Sequence, residues 1–383
     1  MHRIVVSGYY GFGNLGDEAI LATIVQQLGA RCELVVLSAN PEQTEAAFGV
    51  RAIPRLDLKA IARELRGASL FLSGGGGLMQ DVTGPVSVPY YGGLMTIARV
   101  LGVPNMVFGQ GVGPLGQSLS RMLTRFAFSS AKALTVRDQA SYALLRELGI
   151  RSERLKLTAD PVLCLEGAPP ERIDAIASSI GIEPGRPTIA VALRPWHTWY
   201  ERQFKILTSA LTQIAVEADA QVVLLPFQLP GDERITEELR ACLEYRPEGR
   251  HPRVAQLKTP LSPAEMMGLI GRMDLVVGMR LHALIMAAAS GVPALGLVYD
   301  PKVAHLCSQW NFPAVPSLSD LDDARSFEDL LRSAWNAREA SAALMVGVGE
   351  AWRAKARMNF EVIESLLGLA PATSPVDVPT TGV

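Results

Sequence analysis

A chain of 383 residues is too long for one small module and predicts two domains at roughly 100–200 residues each. Hydrophobic residues make up 49% and charged residues 19%, enough apolar material for packed cores and too little charge for a disordered chain. Lys and Arg total 36 against 38 Asp and Glu, a formal net charge of −2, so no basic excess is available to neutralise a phosphate backbone and nucleic acid is not an expected partner.

Short β-branched runs at residues 3–7, 33–38, 69–73, 105–108 and 134–136 predict strands. Helical periodicity at 17–28, 56–65, 91–101, 119–129 and 139–148 separates them. After a Pro/Gly-rich interval at 166–170 the pattern repeats, with strands at 188–193, 221–225, 253–255, 275–277 and 294–297 and helices at 201–218, 233–243, 263–272 and 281–290. This alternation predicts an α/β fold of two Rossmann-like domains facing across a cleft, each a parallel sheet with helices on both faces. The expected boundaries are residues 1–166 and 167–371, with a last helix near 340–367 packing back across the junction. Residues 372–383, rich in Pro, Thr and Ser, are expected to form a disordered tail.

Four dispersed cysteines without a C-x-x-C pair, and an N-terminus lacking an apolar signal core, predict a cytoplasmic protein. Mean hydropathy is high at +0.20. The uncharged stretches 82–98 and 283–299 are nevertheless broken by glycine and proline, and read as buried elements rather than membrane spans.

In open parallel sheets ligands gather beyond the carboxyl ends of strands. The first such loop, GYYGFGNLGDEAI at 8–20, carries Gly11-x-Gly13-x-x-Gly16. A dinucleotide site is disfavoured, because Ser38, Ala39 and Asn40 stand where an acidic ribose ligand belongs and Asp17 and Glu18 would repel a pyrophosphate. Two readings stay open: Gly11 and its neighbours let another ligand approach while Asn14 and Asp17 bind hydroxyls, or Asp17 caps a glycine-rich turn. SGGGGLMQD at 73–81 supplies a second loop, with Gly75 and Gly76 allowing close approach and Asp81 an acid or base. It lacks the Gly-Lys-[Ser/Thr] ending of a nucleotide-hydrolysing loop. FGQGVGP at 108–114 reads as a third glycine loop.

Arg137 directly follows the strand at 134–136, and Arg194 occupies the same kind of position in ALRPW, ahead of Trp196, Trp199 and Tyr200, which are either sugar-stacking or core aromatics. The segment LVVGMRLHALIMAAASGVPALGL at 275–297 runs a strand into an apolar helix that opens with Arg280 and His282. A helix N-terminus favours an anion there. Three arginines and a histidine at strand ends describe a site for a small multiply charged anion, bound by guanidinium forks. No acidic cluster or His pair with ligand spacing suggests a metal, so no metal is expected.

These motifs in this order, GYYGFGNLGDEAIL, FLSGGGGLMQD, TVRD at 135–138, ALRPW, GMRLHAL and SGVPALGLVYDPKV, resemble the polysaccharide pyruvyl transferase family, and within it the CsaB-type enzymes, over about residues 1–365. The resemblance implies a fold like GT-B glycosyltransferases, phosphoenolpyruvate as donor and no further cofactor. It also implies a sugar acceptor, often lipid-linked, which would bring a cytoplasmic protein to the inner face of the membrane. Carried over by position, Arg137, Arg280 and His282 would form the donor site with Asp81 as an acidic partner, and Lys302 of the DPKV segment would bind substrate. Tyr9, Tyr10, Asn14 and Tyr90 are the acceptor-side candidates. Two alternatives share the cleft: a glycosyltransferase using a sugar nucleotide, and a glycan-binding protein without turnover.

Overall fold

The computed structural model describes residues 1–82, 84–196, 201–245, 251–317, 321 and 323–371. Trp199, Tyr200 and the tail at 372–383 lie outside the described residues.

The first sheet contains β1 (His2–Tyr10), β2 (Cys32–Ser38), β3 (Arg51–Pro54), β4 (Leu70–Ser73), β5 (Gly76–Met79), β6 (Asn105–Val112), β7 (Ala133–Val136) and β8 (Leu155–Leu157). Its order is β3-β2-β1-β4-β6-β7-β8, with β5 added against β6. The second contains β9 (Thr188–Ala192), β10 (Gln221–Leu224), β11 (Arg253–Gln256), β12 (Leu275–Gly278), β13 (Ala294–Leu297) and β14 (Ala314–Val315), in the order β11-β10-β9-β12-β13-β14. The pairs on both sheets are parallel, as the βα alternation predicts. Parallel strands are buried on both faces, which explains their continuous apolar runs. In each sheet the order reverses beside the first strand, between β1 and β4 and between β9 and β12, and those switch points open a crevice at the carboxyl edge.

The structure departs from the sequence expectation in one stretch that matters for the site. Residues 73–81 and 108–114 are not free loops: Gly76–Met79 forms β5 and β6 continues through Gly109 and Gly111 to Val112. Glycine lowers strand propensity locally. Here the Gln110 amide ties the stretch together, donating to Ser73 Oγ at 3.2 Å and the Gly74 carbonyl at 2.9 Å.

One apolar cluster runs through both halves. It includes Ile20 and Ile24 of the helix Leu15–Leu28, Val162 and Leu163 of the turn Pro161–Cys164, and Leu284 and Met286 of the helix Leu281–Ala289. Backbone joins the halves directly, with Leu15 N–H donating to the Phe227 carbonyl at 2.9 Å and Asn14 bridging to Gln228. The helix Arg338–Leu367 leaves the second half and packs on the first. Its fully buried Asn359 bonds the Ala159 carbonyl and Thr158, and Phe360 packs edge-on against Phe108. Among the described residues no helix is long and apolar enough to cross a membrane.

Candidate active site

Arg137 leaves the end of β7 and is buried. Its guanidinium donates to Asp160 Oδ2 at 2.5 Å, while Asp160 Oδ1 accepts from Val162 N–H at 3.0 Å and caps the turn Pro161–Cys164. Across the interface Arg280 stands at the N-cap of the helix Leu281–Ala289. It forms a forked pair with Asp232, Nε to Oδ2 at 3.0 Å and Nη2 to Oδ1, and Nη2 also reaches Gln228. Asp232 is fully buried and accepts two further bonds from the Phe227 and Gln228 N–H groups. Each arginine therefore already holds a buried carboxylate. Asp160 and Asp232 were not among the sequence candidates. The signal available was position alone, each following a strand end in an otherwise apolar or turn-forming segment.

His282, one residue into the helix, comes within 3.8 Å of Asp160 Oδ2 through Nε2, and that nitrogen makes no hydrogen bond among the described residues. Burial pushes the imidazole down to about 4; Asp160 opposes the shift and the charges of Arg137 and Arg280 add to it. The ring is neutral at pH 7. On its other side it packs against the start of the helix Leu15–Leu28, where a β-carbon at Gly16 would stand 2.1 Å from Nδ1. The first helix of one domain and the histidine of the other meet only because residue 16 has no side chain. Gly16→Ala is expected to lower stability by about 1–3 kcal/mol through overpacking, read as a shifted urea midpoint.

Asp17 follows in the same turn. Asn14 caps the helix, accepting from Gly16 N–H at 3.2 Å, and its amide donates to Asp17 Oδ2 at 2.7 Å. Gly76 lies opposite, with φ +91° and space for no β-carbon, which would fall 2.6 Å from Asp17 Oδ1. Burial raises the Asp17 carboxyl to about 7, against the pull of Arg137 and Arg280. Glu18 is raised to about 7 by burial too, although the Gly11, Phe12 and Gly13 N–H groups favour its charge. Gly11 and Gly75 serve the protein's own packing: a β-carbon on the first would meet Ser38 Oγ at 2.1 Å and on the second Ile20 at 3.0 Å.

Lys302, at the start of the helix Pro301–Trp310, completes the cluster. Its Nζ would be 3.2 Å from a β-carbon on Gly77, and burial together with the Arg137 charge lowers its pKa. Arg137, Asp138, Asp160, Lys302 and His305 line an interdomain cleft of about 50 Å³. A larger cavity, about 320 Å³, lies between Gly11, Gly13, Glu18, Phe48, Phe227 and Met266. Beside it Tyr9 and Phe12 stack at 4.0 Å on the surface, with Arg55 over Phe12 and Tyr90.

Three candidates are taken up by the protein's own contacts. Asp81 accepts from the Gly116 and Gln117 N–H groups at 2.9 and 2.8 Å, bracing the start of the helix Ser118–Ser129. Slight desolvation, which raises its pKa, is outweighed by those bonds and one from Ser120, so it is lowered, the reverse of what a proton donor needs. In this place Asp81 braces the loop, which disfavours the proton-donor half of the acid-or-base role expected of it. Arg194 leaves β9 beside Arg280's strand, but its guanidinium donates to Tyr299 Oη at 3.1 Å and lies over Trp196 and Tyr299. Tyr10 is completely buried, so it cannot stack on an acceptor.

The fold and site define a two-domain α/β protein whose switch points face one another around buried Arg–Asp pairs flanked by half-buried His282 and Lys302. Solved structures share that architecture: HepE of Anabaena in complex with UDP and glucose (TM-score 0.61, 14% identity, 96% of this chain and all of that one). MnaA of S. aureus, solved with UDP, gives a TM-score of 0.63 at 13% identity, covering 97% and 99%. The profile described as polysaccharide pyruvyl transferase matches residues 14–301, and the chain belongs to that family. It is also 20% identical over 372 residues to the amylovoran biosynthesis protein AmsJ of Erwinia amylovora, covering 82% of this chain and 88% of that protein.

Proposed function

We propose that the protein transfers the enolpyruvyl group of phosphoenolpyruvate onto two hydroxyls of a sugar in a cell-wall or exopolysaccharide precursor, forming a cyclic pyruvate ketal and releasing phosphate. The observation that carries this reading is an interdomain cleft lined by Arg137, Asp160 and Lys302, with a neutral His282 3.8 Å from the same Asp160. The family and the likeness to an amylovoran biosynthesis protein support a polysaccharide acceptor.

The donor is a trianion. Arg137 and Lys302 offer it charge, and Asp160 and Asp232 hold the two guanidiniums in fixed orientation so that little reorganisation accompanies binding. Burial makes each of these contacts stronger than it would be in water. His282 is suited to taking a hydroxyl proton, being neutral and having an unengaged Nε2. The Tyr9–Phe12 face, flanked by the larger cavity, is suited to stacking on the acceptor sugar. A lipid-linked acceptor would bring this face to the membrane surface.

The test is incubation with phosphoenolpyruvate and a panel of lipid-linked or nitrophenyl sugars, following phosphate release and the mass of the acceptor together. Phosphate released in step with a pyruvyl ketal is expected. Glycosyl transfer from a UDP-sugar, with phosphoenolpyruvate left intact, overturns the proposal in favour of the glycosyltransferase alternative.

A further inference from the structure

Ketal formation needs one proton placed on C3 of the donor and two removed from the acceptor, and a single imidazole does not cover all of these steps. Asp17 is a further titratable side chain at the junction. It is the immediate neighbour of Gly16, against which the His282 ring packs; the Asn14 amide donates to its Oδ2 at 2.7 Å, and Gly76 lies so near that a β-carbon there would fall 2.6 Å from its Oδ1. Its charge is felt by Arg137, Lys302 and Tyr9, and the Gly76–Gly77 backbone that lies against it also lies against the Lys302 ammonium.

Resting on the donor reading above, we infer that Asp17 is the acid that protonates C3 of the enolpyruvyl group, with His282 the base for the first hydroxyl. The proton of Asp17 goes to the methylene carbon, which becomes the methyl group, and C2 becomes electrophilic. The first hydroxyl oxygen bonds to C2 as its proton passes to His282. The C2–O bond to phosphate then breaks, the phosphate leaving with the proton that His282 carries. The second hydroxyl oxygen bonds to C2 and its proton returns to the Asp17 carboxylate. Two hydroxyl protons are thus accounted for, one on the methyl and one on phosphate, and both side chains end as they began.

The groups facing Asp17 are Glu18 on its own helix, Tyr9 and Tyr10 from β1, Arg137 after β7, Asp160, Tyr91, Arg280 and Lys302. Burial dominates among them and keeps the carboxyl protonated up to about pH 7. An acid must carry its proton, so wild-type kcat/KM is expected to fall as pH rises through about 7.

The experiment compares wild type, Asp17→Asn and Asp17→Glu in phosphate release across pH, with the thermal shift produced by phosphoenolpyruvate as the binding readout. Asp17→Asn is expected to lose about 10²–10⁴-fold in kcat, to keep the thermal shift, and to lack the alkaline limb in its residual activity. Asp17→Glu is expected to recover part of the rate with a displaced limb. Near-wild-type turnover in Asp17→Asn overturns the role, as does a limb unmoved in Asp17→Glu, which assigns it to another group such as Glu18. The glutamate variant decides the matter if the asparagine variant does not fold. Wild type that releases no phosphate with any acceptor overturns the donor reading itself, an outcome distinct from an active wild type matched by an active Asp17→Asn.

Discussion

Replacing His282 with alanine is expected to abolish pyruvyl transfer and leave the fold intact. The imidazole is neutral and its Nε2 holds no hydrogen bond among the described residues, so its removal strands no buried partner. It stands 3.8 Å from the carboxylate of the Asp160 that holds Arg137, and the arginine keeps that ion pair without it. What is lost is the acceptor of the hydroxyl proton, a contribution of about 10²–10⁴-fold for a positioned base. The ring also acts in one direction of pH. A base must be unprotonated, so its function is present above its pKa and lost as pH falls through about 4. Steady-state phosphate release with a urea unfolding curve checks both halves of the prediction. A variant that turns over like wild type refutes the assignment, and one that unfolds early places the ring's role in packing instead.

The second large effect falls on stability. Asp232→Ala is expected to cost about 3–5 kcal/mol, because it leaves a buried guanidinium without its counter-charge. Arg280 is 9% exposed and Asp232 is fully buried, so water cannot readily replace the carboxylate. Its Oδ2 also accepts from the Phe227 and Gln228 N–H groups, and Phe227 is the residue whose carbonyl receives Leu15 from the other domain. Loss of the carboxylate should therefore loosen the domain contact as well as the arginine. The expected reading is a lower urea midpoint with an unchanged slope. Asp232→Asn should cost less, since an amide oxygen still accepts. A loss below about 1 kcal/mol in the alanine variant would mean that the guanidinium relaxes into solvent, as exposed pairs do. Arg280→Lys tests the same contact from the other side, because an ammonium cannot make the forked bond, and severely impaired transfer is expected of it.

Legibility in the sequence followed the range of the physical signal. The strands that flank the switch points, β1, β4, β9 and β12, are visible as short apolar runs because burial on both faces acts on each residue separately. Arg137, Arg280 and His282 are visible because each sits immediately past such a run, and chain direction alone puts a strand's last residues at the ligand-bearing edge. The glycine segments are visible as glycine, but whether they serve a ligand or the protein is not. Gly11 and Gly75 lie against Ser38 and Ile20, and the segment 76–79 is a strand because β6 pairs with it. A pairing partner more than thirty residues away leaves no mark in a local window.

By itself the chain settled which residues are apolar, where the turns fall and hence that two parallel sheets would present their loops to one another. Only the tertiary structure decided what those loop residues are joined to. Arg137 is paired 23 residues along with Asp160, and Arg280 is paired 48 residues back with Asp232. Asp81 is drawn off to a helix start, and Asp160 is the carboxylate left beside the histidine. Proton affinity belongs to the same class. Asp17 is raised and His282 lowered because atoms from both domains close over them, and desolvation is a sum over neighbours in space that no ordering of residues along the chain contains.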